Sequence, residues 1–251
     1  TWAQQTWQSL CCCGMTPMTV CRGAVAVAVV MVYQSATVMA TASSWVQGSS
    51  PGPGPRCFAS LTRISDSYAL LFGGLDAESL ADAWNYTTST RTWTLLAATG
   101  SLPPSRGGHA AVAVNGDLVV HGGAHETSRR RRGGGYYNTP TGTLSDMWSF
   151  SVATLSWSQI VASTRDELNP QARHGHVAVY MERDETILIH GGCTGSPSNT
   201  LSDLWGFKVP TLAWQQLKSE PGDRLNAAAV AAQARRLMLM FGGRRWVNGY
   251  G

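Results

Sequence analysis

The chain has 251 residues, of which 14% are charged, and its formal net charge at pH 7 is +4. Glycine (27 residues) and tryptophan (10 residues) are abundant, whereas charged residues fall below the roughly 25% of an average soluble domain. This composition excludes an intrinsically disordered chain, which needs high charge and few aromatic residues. It also argues against long surface helices, which use more Lys and Glu.

The first 55 residues carry the weakest pattern. The three adjacent cysteines at residues 11–13 fit neither a disulfide framework nor a zinc site, so we interpret them as a loop feature and predict a reducing, cytoplasmic environment. No charge occurs between Arg22 and Arg56, but the unbroken apolar run at residues 24–32 is too short to span a bilayer. Its alanine–valine alternation predicts a buried strand, and the sequence therefore predicts no membrane span.

Four diglycine pairs, each at the end of a short apolar run, divide the rest of the chain into units. Successive pairs begin 49, 69 and 51 residues apart. The pairs are Gly73-Gly74, Gly122-Gly123, Gly191-Gly192 and Gly242-Gly243. Self-similarity at such a period is typical of repeat architectures.

Tryptophan and arginine recur in register with the diglycines. An Asp-x-Trp triplet follows each of the first three pairs, at Trp84, Trp148 and Trp205. A second tryptophan follows nine residues later, at Trp93, Trp157 and Trp214. An arginine opens the apolar run that precedes each diglycine unit, at Arg56, Arg106, Arg173 and Arg224, and Arg22 has a similar position in the N-terminal segment.

This order of motifs resembles the kelch repeat, whose unit is one four-stranded blade of a β-propeller. The resemblance covers residues 56–243, where four elements recur in one order three times. It implies an all-β fold, a kelch-type β-propeller, as a single domain over residues 1–251. The units are a degenerate N-terminal segment 1–55, clear repeats 56–105, 106–172 and 173–223, and a partial C-terminal repeat 224–251.

The number of blades has two interpretations. The segment around Trp7 is similar to the fourth-strand segments around Trp93 and Trp214, so it would supply the missing fourth strand of the last unit and close a ring of about five blades. The alternative is that the chain is part of a six- or seven-bladed ring.

The middle unit contains a basic insertion at residues 124–142. Arg129, Arg130, Arg131 and Arg132 together carry four positive charges, which equals the net charge of the whole chain. With Tyr136 and Tyr137, this insertion predicts a contact surface for an acidic peptide, a phosphorylated segment or a nucleic-acid backbone. The alternative is a solvated loop without a partner. Because the rest of the chain is electrically balanced, binding to nucleic acid is disfavoured, although the arginine loop leaves it open.

The repeat arginines predict a second contact surface. Blades place equivalent residues around one axis, so these arginines are expected to ring one mouth of the channel. The kelch resemblance implies that this mouth binds an acidic partner peptide, which gives Arg56, Arg106, Arg173 and Arg224 a partner-binding role. The alternative is that they hydrogen-bond to backbone carbonyls of the neighbouring blade.

The sequence contains no recognisable catalytic motif, and most of its histidines occupy repeat-equivalent positions rather than a metal-ligand pattern. We therefore predict no cofactor and no metal. The function predicted from the sequence is a non-catalytic scaffold that binds a protein partner. The alternatives are a structural subunit of a large assembly and a propeller enzyme of the oxidase or specifier type.

Overall fold

The computed structural model describes residues 5–8, 51–130, 136–165, 168–195, 199–218 and 222–244. These residues form sixteen β-strands and two short 3-10 turns, and they contain no α-helix. In chain order the strands are β1 (Gln5–Gln8), β2 (Ser60–Arg63), β3 (Tyr68–Leu75), β4 (Ser79–Thr87), β5 (Thr92–Leu95), β6 (Thr99–Gly100), β7 (Ala110–Val114), β8 (Asp117–Arg130), β9 (Tyr136–Ser151), β10 (Ser156–Ile160), β11 (Val177–Met181), β12 (Thr186–His190), β13 (Leu204–Lys208), β14 (Ala213–Leu217), β15 (Leu225–Ala232) and β16 (Leu237–Arg244).

Consecutive strands pair antiparallel into blades. Blade A consists of β2 to β5, blade B of β7 to β10, and blade C of β11 to β14, while β15 and β16 form the two-stranded unit D. The hairpin between β7 and β8 turns at Asn115 and Gly116, whose φ angles of 52° and 93° match a type I′ turn. The all-β fold of four-stranded blades that the repeats predicted is confirmed.

The core lies between neighbouring blades. Alternate residues of β7 contact opposite neighbours: Ala111 packs against blade A, whereas Ala110 and Val112 pack against blade C. The same holds for β11, which is shared between blade B and unit D. Because both faces of these first strands are covered, all five residues of each are buried, which explains their apolar sequence without polar alternation.

Strand β1 lies between β15 and β2 and pairs antiparallel with both of these first strands. The prediction that the Trp7 segment forms the outer fourth strand of the last unit is therefore wrong, because β1 lies on the β15 side of unit D and not beside β16. The remainder of the degenerate N-terminal unit, with Arg22 and the three cysteines, lies outside the described residues. The count of five blades stays a prediction.

Candidate interaction face

The predicted partner-binding residues that the structure describes lie at, or extend from, one end of the blade strands. At this end the first strand of each blade begins, the second ends, the third begins and the fourth ends. We call it the arginine face, after the residues Arg56, Arg106, Arg173 and Arg224 at the starts of the four units.

The side chain of Arg106 is enclosed by its own blade. Its two terminal nitrogens form a bidentate pair with Asp146 at 2.7 and 2.8 Å, and Nη1 also donates to the carbonyl of Gly122 at 2.9 Å. Nε donates to the carbonyl of Pro104 at 3.0 Å, and the indole N–H of Trp148 donates to the same carboxylate at 2.6 Å. The Arg106 side chain is 0% exposed, and these hydrogen bonds replace the water contacts that its guanidinium loses on burial.

The same arrangement recurs in the neighbouring blades. The equivalent residues are Arg56, Asp82 and Trp84 in blade A and Arg173, Asp203 and Trp205 in blade C. Burial alone would raise the pKa of each aspartate, but the hydrogen bonds from arginine and tryptophan outweigh it, so each pKa lies below its usual value. The Asp-x-Trp triplet and the repeat arginine therefore form one buried, charge-paired unit.

This geometry corrects the predicted role of the repeat arginines. Arg106 and Arg173 are fully buried, and Arg56 keeps only 7% of its side-chain surface exposed, so the guanidinium groups do not line an open mouth. The interpretation as carbonyl-binding structural residues is closer, except that the carbonyls belong to the arginine's own unit or the segment leading into it. Taken as whole residues, Arg56 and Arg224 are half-buried.

The backbone of each arginine joins two blades. The carbonyl of Arg106 accepts from the amide of Gly74 at 2.9 Å, and its amide donates to the carbonyl of Leu80 at 3.0 Å, both in blade A. A Cβ atom on Gly73, where φ is +60°, would lie 2.7 Å from the Arg106 carbonyl oxygen. The equivalent joints pair Arg173 with Gly123 and Leu144, and Arg224 with Gly192 and Leu201. The diglycines thus let one blade approach the next at hydrogen-bond distance.

The second tryptophans pack across these joints. The ring centroid of Trp157 lies 4.7 Å from that of Phe72 in blade A, and that of Trp214 lies 5.3 Å from that of His121 in blade B. Trp93 instead contacts Tyr86 of its own blade, at 5.0 Å. The repeat tryptophans therefore serve packing within and between blades.

Buried histidines occupy the same joints. Between blades B and C, Nδ1 of His121 lies 3.0 Å from Nε2 of His176, with the two rings nearly perpendicular at 88°. Between blades A and B, His109 packs edge-on against Phe72 and hydrogen-bonds to Ser60 at 2.8 Å. Burial lowers the pKa of His109 and of His121 to about 3, and it holds that of His176 well below the usual value. These imidazoles are neutral packing groups at pH 7.

The described residues of the insertion at 124–142 form two paired antiparallel strands, with a shift of register between His125 and Glu126. Strands β8 and β9 continue beyond the blade, and their register sets Arg129 opposite Tyr137 and Arg130 opposite Tyr136. At its base, Nδ1 of His125 lies 3.1 Å from Oγ of Ser105. We call the segment formed by residues 126–130 and 136–140 the basic ribbon. Arg131 and Arg132 lie between its strands, outside the described residues.

Three exposed apolar side chains in the segments between blades were not predicted from the sequence. Leu102 (59% exposed) lies in the segment from blade A to blade B, and Val161 (72%) and Leu168 (58%) lie in the segment from blade B to blade C. Both segments also contact the turn between the third and fourth strands of the following blade, since the amide of Thr99 donates to the carbonyl of Leu155 and that of Ser163 to the carbonyl of Leu212. The available signal was an apolar residue inside a connecting segment rich in polar residues and proline.

Two classes of feature are not found in the residues that the structure describes. They contain no group of three or more His, Cys, Asp or Glu side chains arranged to hold a metal ion. In the same part of the chain, no helix has the length and apolar character needed to cross a bilayer.

Comparison with known proteins agrees with this architecture. Residues 29–248 match the family model described as the attractin/LZTR1 β-propeller. The kelch domain-containing protein 10 of Rattus norvegicus is 26% identical over 190 residues, covering 74% of this chain and 42% of that protein, and the Homo sapiens protein is 26% identical with 39% of its length covered. The chain thus spans about two fifths of the length of these curated relatives. The solved structure described as "Structure of YjhT" has a TM-score of 0.52 at 17% identity, with 71% of this chain and 60% of that one covered, and shows the same fold. With its Arg–Asp–Trp blades and a family match over most of its length, the chain belongs to the attractin/LZTR1 family of kelch-type β-propellers.

Proposed function

We propose that this propeller is a non-catalytic protein-interaction module that binds an acidic segment of a partner protein through the basic ribbon. The observation that carries the proposal is the contrast in arginine use on one face. Arg56, Arg106 and Arg173 already have carboxylate partners inside the chain, whereas the four arginines of the insertion follow no repeat rule.

Charge supports an acidic partner. Residues 124–142 contain four arginines and one acidic residue, Glu126, and so carry a net charge of +3 with histidine neutral. Arginine binds carboxylates and phosphates with two parallel hydrogen bonds, and a concentrated basic patch also steers acidic partners toward it. The tyrosines opposite Arg129 and Arg130 add aromatic surface of the kind that is enriched at protein interfaces.

The exposed apolar residues support a protein as the partner. Leu102, Val161 and Leu168 are exposed in the two segments that precede and follow blade B, the blade from which the ribbon extends. Protein interfaces combine apolar anchors with a polar rim, whereas a nucleic-acid backbone offers charge with little apolar surface. No observation favours a propeller enzyme or a structural subunit over this assignment.

Affinity capture from native extract tests the proposal. The intact chain would be compared with a variant carrying Arg→Ser at residues 129–132 and with a matched Arg→Lys variant that keeps the charge. We expect a partner that is retained by the intact and Arg→Lys chains and is lost with Arg→Ser, because the contact depends on positive charge. Capture of the same partners by all three chains would contradict the proposal.

The thermal stability of each variant is the folding control. The substitutions replace none of the residues that form the blade joints described above, so each variant should change the free energy of unfolding by no more than about 0.5 kcal/mol. A lost partner with unchanged stability would then report the interface and not a damaged fold.

A further inference from the structure

We propose that the acidic partner segment binds as an added β-strand, pairing with the inner edge of the basic ribbon along Glu126–Arg130 of β8. This inference rests on the proposed function and specifies its geometry: the partner is an extended peptide held by backbone hydrogen bonds as well as by charge.

The two strands of the basic ribbon pair with each other. In the described part of the chain, residues 126–130 pair with residues 136–140 and with no other strand. A strand with one neighbour has a row of backbone N–H and C=O groups that face away from that neighbour, which is the template used in strand addition. A two-stranded hairpin is marginally stable by itself, so a third strand would also stabilise the ribbon.

The two edges of the ribbon, one on β8 and one on β9, differ in position and in sequence. Within blade B, β8 lies between β7 and β9, and β9 lies between β8 and β10. Among the described residues, the unpaired edge of the ribbon part of β8 therefore continues the line of β7, the first strand, whereas that of β9 continues the line of β10, the outer strand. Pro140 lies in the ribbon part of β9 and has no N–H to donate, while residues 126–130 of β8 contain no proline. The edge of β8 is the more complete template.

The β8 part of the ribbon contains two basic residues. Arg129 and Arg130 are consecutive on β8, and consecutive residues of a strand belong to opposite faces of a ribbon. Each face of the ribbon therefore has one of the two arginine positions. An added strand whose carboxylates all lie on one face would be next to one arginine position, whichever face that is. Cross-strand pairs of opposite charge stabilise a sheet, and this register also places Tyr136 and Tyr137 directly across from the two arginines.

The experiment uses the full chain and three labelled peptides in fluorescence-anisotropy titrations at low salt. The first probe is a short peptide of alternating glutamate and valine. The second carries N-methyl groups on every glutamate nitrogen only, and the third carries them on every glutamate and every valine nitrogen. In an extended peptide, alternate N–H groups point to the same side, so the second probe keeps all its donors along one edge, whereas the third has no donor along either edge.

We expect the unmethylated probe and the second probe to bind equally, and the third probe to bind at least about tenfold more weakly, which is about 1.4 kcal/mol. Equal binding by all three probes would overturn strand addition while leaving the acidic-partner function intact. No binding of the unmethylated probe would overturn both. Arg129→Lys/Arg130→Lys is the matched control and should keep the same difference in affinity between the probes. Arg129→Ser/Arg130→Ser should bind none of the three probes.

The choice of edge has its own readout. The unmethylated probe with a terminal benzophenone should cross-link to residues 126–130 on irradiation. Cross-links confined to residues 138–140 would overturn the assignment to β8, because those residues belong to the opposite edge of the ribbon.

Discussion

The arginine face uses one residue type in two ways. Arg106 and Arg173 are buried, and each forms a bidentate pair with an aspartate of its own blade. Arg129 and Arg130 lie on the ribbon that extends from blade B, in an insertion that the other repeats lack. The difference teaches that a residue repeated in every unit serves the fold, while a departure from the repeat is the better indicator of a contact with another molecule.

The largest effect should come from breaking a buried pair. Arg106→Leu leaves the carboxylate of Asp146 without its main partner in a site that is only 20% exposed, so we expect a loss of about 3 kcal/mol in the free energy of unfolding. Urea denaturation measures it. The double variant Arg106→Leu/Asp146→Leu should recover part of the loss, because it leaves no unpaired charge. A loss no greater than that of Arg129→Leu would erase the distinction between the two kinds of arginine.

A smaller effect should come from the diglycine joint. In Gly122→Ala the new Cβ would lie 2.7 Å from the carbonyl oxygen of Arg173, at a φ of +62°, so blades B and C must move apart. Gly116→Ala is the matched control, since φ is +93° there but no atom lies within 4 Å. We expect the control to cost about 1 kcal/mol from backbone strain and Gly122→Ala about twice that. Equal losses would mean that the close approach of the blades contributes nothing.

The smallest effect, about 1 kcal/mol between pH 6.5 and 5.5, should come from the histidine joint and appear only on acidification. The folded pKa of His121 is about 3, below the ordinary 6.5, so the unfolded chain binds more protons between these values. Stability is therefore fully present above pH 6.5 and is lost as the pH falls toward 3, by up to about 1.4 kcal/mol per pH unit for each such histidine. The charged and titratable groups around His121 and His176 are Arg106, Asp146, Arg173, His109 and His174.

A variant isolates this contribution. His121→Phe gives the joint between blades B and C a phenylalanine at the position that Phe72 occupies between blades A and B. Its stability should fall by about 1 kcal/mol less than that of the natural chain between pH 6.5 and 5.5, as measured by urea denaturation at each pH. The paired aspartates have lowered pKa values and do not titrate in this window. Parallel pH profiles for the two chains would contradict the buried-histidine account.

The repeat pattern predicted the fold because each motif has one structural cause. Diglycine marks the close approach of two blades, and Asp-x-Trp marks the carboxylate that pairs with the repeat arginine. The predicted mouth of free arginines could not be corrected from sequence, since Arg106 and Asp146 are 40 residues apart and only the folded blade brings them together. The pairing of the ribbon strands was likewise hidden, because the glycine triplet at residues 133–135 indicated a flexible loop.

The distance between arginine and aspartate is insensitive to the length of chain between diglycine and aspartate. That length is 8 residues in blade A, 23 in blade B and 11 in blade C, yet the shortest nitrogen–oxygen distance in each pair is 2.6, 2.7 and 2.6 Å. The ion pair holds the blade together at this end, and the segment between diglycine and aspartate varies in length without changing it. The corresponding segments of blades A and C should therefore accept grafted sequences, so that one framework can display up to three exchangeable recognition segments side by side.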